Sequence, residues 1–316
     1  MTARKIVIDT DPGIDDALAI FLALASPEVE VIGLTTVFGN AEMEVTTRAA
    51  LALLEIAGRG DIPVAGGAAA PLAGAYRGAV PDIHGHDGQG DYGMAAPRGA
   101  AVATHAPDFL AETIAAHPGQ VTMVALGPLT NLALALAAHP EIARLAAGVV
   151  VMGGNALALG NATPAAEANI LNDPEAADVV FGAAWPLAMV GLDVTHQVLL
   201  TDADAAKIAA ASKPAARHIA AALPLYRAFY ERVPRIAGVY LHDPSAVAFI
   251  VDPTLFRTEN WPLRVETHGI SRGKTWPWTR MHIDPTGTPW AARPSVQVAV
   301  DVDAARLIEL VVARLT

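Results

Sequence analysis

The sequence predicts an α/β fold, with a mostly parallel central sheet and helices on both faces. Three observations predict it. Short apolar runs alternate with segments of helical periodicity. The runs are apolar throughout, as buried strands are. The chain has 316 residues, 53% hydrophobic and 17% charged, enough for a sizeable core. With no internal repeat, low-complexity tail or linker, residues 1–316 read as a single domain with a C-terminal extension.

The first unit is the most explicit. Lys5-Ile6-Val7-Ile8 reads as a buried strand, and Ala17–Leu24 reads as a helix. Between them lies Asp9-Thr10-Asp11-Pro12-Gly13-Ile14-Asp15-Asp16, with four carboxylates in eight residues, in the turn and the first turn of the helix. In an open α/β sheet, ligands bind outside the carboxyl end of a strand. Acids this close repel one another, so either some are protonated or a cation sits among them. An all-oxygen cluster suits calcium or magnesium rather than zinc. Helix capping alone would explain Asp15 or Asp16 taken singly, but not all four acids together.

The next strand is Val29–Thr36, ending in Val37-Phe38-Gly39-Asn40, followed by a helix from Glu42 to Ala57 and a short strand at Val64-Ala65. Residues 66–105 are irregular and rich in Gly, Pro and Ala, and a loop of that length inside a compact domain is functional or disordered. Its segment His84-Gly85-His86-Asp87-Gly88-Gln89-Gly90-Asp91 reads as a lid or as a plain surface loop.

Val121–Leu126 is a strand, and Pro128 is expected in the first turn of the helix that follows. Val149–Met152 is another strand, ending in Gly153-Gly154-Asn155. The polar loop 160–169 supplies Asn161, Glu167 and Asn169, donors and acceptors of the kind sugar hydroxyls require. Asp173-Pro174-Glu175 starts a helix, and Leu187–Leu192 is a strand followed by Asp193-Val194-Thr195-His196. Helices fill 201–232, with expected breaks near Pro214 and Pro224, and Tyr226, Phe229 and Tyr230 repeat at helical spacing as core residues. His242-Asp243-Pro244 opens a further helix, with Asp243 as its expected N-cap. Residues 255–300 read as strands and turns, and Asp303–Leu315 as a closing amphipathic helix.

Composition removes several classes of function. A net charge of −11, from 21 basic and 32 acidic residues, argues against nucleic acid or an anionic membrane as partner. There is no cysteine, hence no disulfide frame and no thiol chemistry. The apolar stretch 121–138 is broken by Gly127, Pro128, Thr130 and Asn131, so no membrane span is expected. Acids interrupt the first apolar run, so no signal peptide is read and the cytoplasm is the expected location.

Taken together, the motifs resemble one family. Asp-Thr-Asp-Pro-Gly-Ile-Asp-Asp (9–16), Asn40, Leu-Gly-Pro-Leu-Thr-Asn (126–131), Val-Met-Gly-Gly (151–154), 160–169, 172–177 and His-Asp-Pro-Ser-Ala-Val-Ala (242–248) follow the order of the inosine/uridine-preferring nucleoside hydrolases across nearly the whole chain. The resemblance implies a nucleoside hydrolase-like open sheet. It implies calcium-dependent hydrolysis of the N-glycosidic bond of ribonucleosides to base and ribose, and a homodimer or homotetramer. It also implies residue roles. Asp11, Asp16 and Asp243, with the backbone carbonyl of Leu126, would hold Ca2+, and Asp11 would be general base on a metal-bound water. Asp15, Asn40, Asn161, Glu167, Asn169 and Asp243 would surround the ribose, with Met152 beneath it. His84 would lie on the mobile loop, and His242 would assist the leaving base as acid. With water attacking C1′ directly, inversion is expected.

The sequence departs from the family pattern at Ala168, where Phe is usual, at Gln89, where Leu is usual, and around Thr275-Trp276-Pro277-Trp278. His242, rather than Trp, before the expected metal aspartate leans away from the purine-specific branch. Two other readings fit part of the chain. Asp9 and Asp11 after a strand also fit a haloacid dehalogenase-like phosphatase, and the same fold could bind a nucleoside without turning it over.

Overall fold

The computed structural model describes residues 3–233, 236–282 and 284–316; Ile283, within the 255–300 stretch, lies outside them. In chain order the first half contains β1 (Arg4–Thr10), α1 (Ile14–Leu24), β2 (Val29–Thr36), α2 (Met43–Ile56), β3 (Val64–Gly66), α3 (Pro81–His84), α4 (Ala106–Ala116), β4 (Val121–Ala125), α5 (Thr130–Ala138), α6 (Ile142–Leu145) and β5 (Gly148–Met152). The second half contains α7 (Ala168–Asn172), α8 (Pro174–Phe181), β6 (Leu187–Val190), α9 (Leu192–Thr195), β7 (Leu199–Leu200), α10 (Asp202–Ala209), α11 (Pro214–Glu231), β8 (Val239–Tyr240), α12 (His242–Val251), β9 (Phe256–Val265), β10 (Thr275–Pro277), β11 (Ser295–Val302) and α13 (Ala304–Leu315).

Nine strands form one sheet in the order β10-β9-β11-β6-β5-β4-β1-β2-β3. From β3 to β11 the neighbours are parallel; β9 joins β11 antiparallel and β10 joins β9 antiparallel. The apolar runs follow from burial on both faces. Ile6 and Ile8 of β1 enter one core and Val7 the other; Val150 and Met152 of β5 enter one, Val149 and Val151 the other. Helices α1, α11, α12 and α13 cover the first face, and α4, α5 and α8 the second.

Going outward from β1, the chain runs to β2 on one side and to β4 on the other. Loops leaving β1 and β4 therefore diverge and open a crevice at the carboxyl ends of the strands. The acidic loop after β1 lies at this point.

Several local expectations change. The expected C-terminal extension is built into the main sheet, since β11 pairs directly with β6. Helix α11 passes through Pro224 without a break. Its buried face, including Ile219, Ala222, Tyr226 and Tyr230, outweighs the roughly 3 kcal/mol that an interior proline costs. Pro128 precedes α5, which starts at Thr130. Asp243 lies inside the first turn of α12, whose N-cap is Leu241, and Gly13 rather than Asp15 caps α1. Asp173 does cap α8, its carboxylate accepting the N–H of Ala176 at 3.0 Å. Among the described residues no helix is long and apolar enough to cross a membrane.

Candidate active site

The floor of the site is built on the end of β1. Asp9 is fully buried, and its Oδ1 accepts from Thr35 Oγ1 at 2.6 Å and Asn131 Nδ2 at 2.7 Å. Burial pushes its carboxyl up to about 7 against the pull of those two bonds. Asp9 is thus a brace under the floor, and it does not line the cavity above.

Asp11 is held differently. Oδ2 accepts the N–H of Asn40 at 2.7 Å, while Oδ1 is buried with no partner among the described residues. The carboxylate lies between Gly39 and Gly127, and a Cβ on either would collide with it. Burial, then the charge of Asp16, raises its pKa well above the carboxylate range. Asp16 accepts from Thr10 Oγ1, from the N–H of Gly13 at 2.8 Å and from Asn40 Nδ2 at 3.2 Å. Asp15 accepts the Tyr226 hydroxyl at 3.1 Å, and burial pushes it up to about 7.

Asp243 reaches this cluster from α12, which packs along α1. Asp15, Asp16 and Asp243 each bring an oxygen within 4.8 Å of the others, all buried. The sequence pointed to Asp11, Asp16 and Asp243; the mutually close trio includes Asp15, and Asp11 stands beside it with an orphaned oxygen. Four buried carboxylates whose pKa values are raised by burial, with oxygen as their only donor atoms, fit a hard divalent cation.

A second wall comes from the polar loop. Glu167 caps α7, its carboxylate accepting the N–H groups of Asn169 at 2.8 Å and of Gly154 and Ile170 at 3.0 Å. Asn161 Oδ1 accepts the N–H of Ala168 at 3.0 Å. Asn169 Nδ2 donates to the carbonyl of Leu126 at 2.6 Å and to that of Met152 at 3.2 Å. The Leu126 carbonyl, the expected backbone ligand, therefore holds an amide here and keeps a second lone pair.

These pieces enclose a cavity of about 650 Å³. Asp15, Asn40, His84, Leu126, Met152, Asn161, Glu167, Asn169, His242 and Asp243 line it; Asp11 and Asp16 lie beneath. His84 is buried, not held out on a free loop: its Nδ1 accepts the N–H of Ile14 at 3.1 Å and its ring stacks on Tyr226 at 5.4 Å. Burial pushes His84 down to about 3.

The aromatic part of the cavity wall carried no signal in the sequence that set it apart from core. Tyr226, Phe229 and Tyr230, read there as core, form it together with His196 and Tyr240. Helical spacing identifies a buried face but does not separate core from cavity wall. His242 sits among them with both nitrogens engaged, Nδ1 with Thr195 Oγ1 at 2.8 Å and Nε2 with the Tyr230 hydroxyl at 3.1 Å. Burial, with His196 and His84 nearby, pushes its pKa down to about 3, so the ring is neutral at pH 7.

The chain matches the sequence model of a family described as "Inosine-uridine preferring nucleoside hydrolase" over residues 6–309. It is 44% identical to "Probable uridine nucleosidase 2" of Arabidopsis thaliana, across 99% of this chain and 97% of that one. It is 40% identical to "Pyrimidine-specific ribonucleoside hydrolase RihA" of Citrobacter koseri, across 99% and 98%. Among solved structures, "Plant nucleoside hydrolase - PpNRh1 enzyme" superposes with a TM-score of 0.96 at 40% identity, covering 99% of both chains. The purine-preferring ribonucleoside hydrolase from Gardnerella vaginalis superposes with a TM-score of 0.91 at 35% identity, covering 99% of this chain and 98% of that one.

Proposed function

From the premise that the chain belongs to the inosine-uridine preferring nucleoside hydrolase family and is a ribonucleoside hydrolase, we propose that it cleaves pyrimidine ribonucleosides, uridine foremost, with Asp11 as general base and calcium at the carboxylate cluster. The observation that carries this is Asp11 Oδ1, a buried carboxylate oxygen with no partner among the described residues, beside three further carboxylates at the bottom of a cavity of nucleoside size. The pyrimidine preference rests on the similarity to uridine- and pyrimidine-named relatives and on His242 preceding Asp243.

Asp11, Asp16 and Asp243, with the carbonyl of Leu126, would hold the ion, and Asp15 is close enough to share it. When bound, calcium supplies Lewis acidity toward water and toward vicinal sugar hydroxyls. As its carboxylate, Asp11 would take the proton of the attacking water at Oδ1. Asn40 holds the other Asp11 oxygen, so the free one keeps a fixed direction. Asp15, Asn161, Glu167 and Asn169 supply polar atoms around the ribose, and Met152 packs beneath it. The nearby carboxylates stabilise the positive charge that develops at C1′ as the glycosidic bond lengthens. Water arrives at C1′ directly, so the configuration inverts. His242, neutral and committed on both nitrogens, orients the Tyr230 hydroxyl in the cavity wall.

The phosphatase reading finds no support, because its nucleophile Asp9 is sealed below the floor by Thr35 and Asn131. The test is release of reducing sugar from uridine, cytidine, inosine and guanosine by the calcium-loaded protein and by Asp11→Asn. Uridine should be cleaved fastest, and Asp11→Asn should lose about 10²–10⁴-fold in kcat with its fold intact by circular dichroism. Wild-type rates in that variant would remove Asp11 as base, and equal rates on all four nucleosides would remove the pyrimidine preference.

A further inference from the structure

The ribose hydroxyls belong with the carboxylates, so the nucleobase is left the aromatic part of the lining, formed by Phe229, Tyr230, Tyr240, His196 and His242. There the obvious polar group is already spent, since both nitrogens of His242 are bonded to Thr195 and Tyr230. His196 is in the opposite condition. It follows α9 directly, one residue after the threonine that orients His242. The β7–β8 ribbon, pairing Leu199 with Tyr240, folds it against the aromatic part of the lining. Its ring lies 4.9 Å from Tyr240 and 5.7 Å, edge-on, from that of His242. It is half-buried, lines the cavity, and among the described residues neither ring nitrogen has a hydrogen-bond partner. Asp193, its nearest acid in sequence, is fully occupied by the N–H groups of Ala156, Leu157 and Ala158.

We propose that His196 recognises the nucleobase, its ring N–H donating to a carbonyl oxygen of a pyrimidine. Burial holds its pKa below the usual histidine value, so at pH 7 the ring carries one donor and one acceptor. A neutral imidazole beside an aromatic wall discriminates by the pattern of oxygen and nitrogen on the base edge, which a purely apolar wall would not do. The inference deepens the pyrimidine reading above and rests on it.

The test compares two substrates that share the ribose and differ in the leaving group: uridine, and 4-nitrophenyl β-D-riboside, whose aglycone leaves without help and presents no pyrimidine edge. Steady-state kinetics of the calcium-loaded wild type, His196→Phe and His196→Gln are measured on both. His196→Phe should lower kcat/KM for uridine about tenfold, mainly through KM, the size of one lost hydrogen bond to a ligand. On the nitrophenyl riboside the same variant should stay within about twofold, and His196→Gln should recover most of the uridine loss. The proposal is overturned if His196→Phe keeps its uridine kcat/KM, or if both substrates decline together, which would mark His196 as a packing residue. A wild type that cleaves neither substrate overturns the hydrolase reading itself; one that cleaves both, with His196→Phe unchanged, overturns only the role of His196.

Discussion

Gln89 has a single way to satisfy its side chain. It is fully buried, and its amide donates to the carbonyls of Pro12 at 3.1 Å and Gly13 at 2.9 Å, inside the acidic loop. Its Oε1 therefore accepts from His218 Nε2 at 2.9 Å, and His218 Nδ1 is left to accept the Tyr92 hydroxyl at 2.7 Å. Burial pushes His218 down to about 4, which keeps the ring neutral at pH 7. Gln89→Leu would restore the residue usual in the family but strand the His218 N–H, at about 1–3 kcal/mol. His218→Phe would strand Gln89 Oε1 at a similar cost. The double variant leaves neither group stranded, so its loss of stability should fall short of the sum by about 0.5–3 kcal/mol, read from urea unfolding of the three variants. Additive losses would mean that the pair is not coupled. The sequence marked Gln89 as a departure but gave no means of finding His218, which is 129 residues away. A lone histidine on a helix carries no local sign of its partner.

At the scale of elements, the turn after β5 shows how the ribose loop is fixed. Lys274, just before β10, is buried and directs its ammonium at the carbonyls of Asn155, Ala156 and Ala158, at 2.5–3.3 Å. From the other side the Asp193 carboxylate accepts the N–H groups of Ala156, Leu157 and Ala158, at 2.7–2.9 Å. A cation on the carbonyls and an anion on the amides clamp a turn that leads into Asn161 and Glu167. Lys274→Met keeps the aliphatic stem and removes the clamp. It should cost about 1–3 kcal/mol in stability and raise KM for uridine several-fold, with a smaller change in kcat, because the loop's average position moves while Asp11 does not. Steady-state kinetics with a parallel thermal melt check this, and an unchanged KM would show that the turn holds its shape without the cation. The start of α8 was legible because Asp173-Pro174 is a local capping signal. The clamp was not, because its two charges lie 81 residues apart and act through backbone groups that look alike in any sequence. Pro224 was misread for a related reason: its local cost is real, but the packed face of α11 exceeds it.

At the scale of the whole molecule, the strand order sets β1 at the switch point and the packing of α12 along α1 carries Asp243 to the acids of β1 and α1. The sequence could name these acids, since each sits in a recognisable strand–turn–helix frame. It could not say that Asp15 rather than Asp11 joins Asp16 and Asp243 most closely, because that depends on which side of the first turn of α1 faces α12. The resulting concentration of buried acid fixes how stability responds to pH and to metal. Asp9 and Asp15 are pushed up to about 7 by burial, whereas in the unfolded chain they ionise near 3.8. Without metal, the folded protein therefore keeps protons that the unfolded chain has lost, and the stability this provides is lost as pH rises through 7. His84, His218 and His242 act in the other direction. They are held down to about 3, 4 and 3 against an ordinary value of 6.5, so their contribution grows as pH rises through 6.5 and is lost in acid. Each shifted carboxylate proton alters stability by at most about 1.4 kcal/mol per pH unit, and between pH 6.5 and 8 the unfolded-state histidines, still losing protons, offset part of that. Calcium competes with the carboxylate protons for the same oxygens, so the rise in melting temperature that millimolar calcium produces should be larger at pH 8 than at pH 6.5. Melts with chelator and with calcium at the two pH values decide it: a calcium shift that does not grow with pH would mean that the ion, if bound, is not held by this cluster.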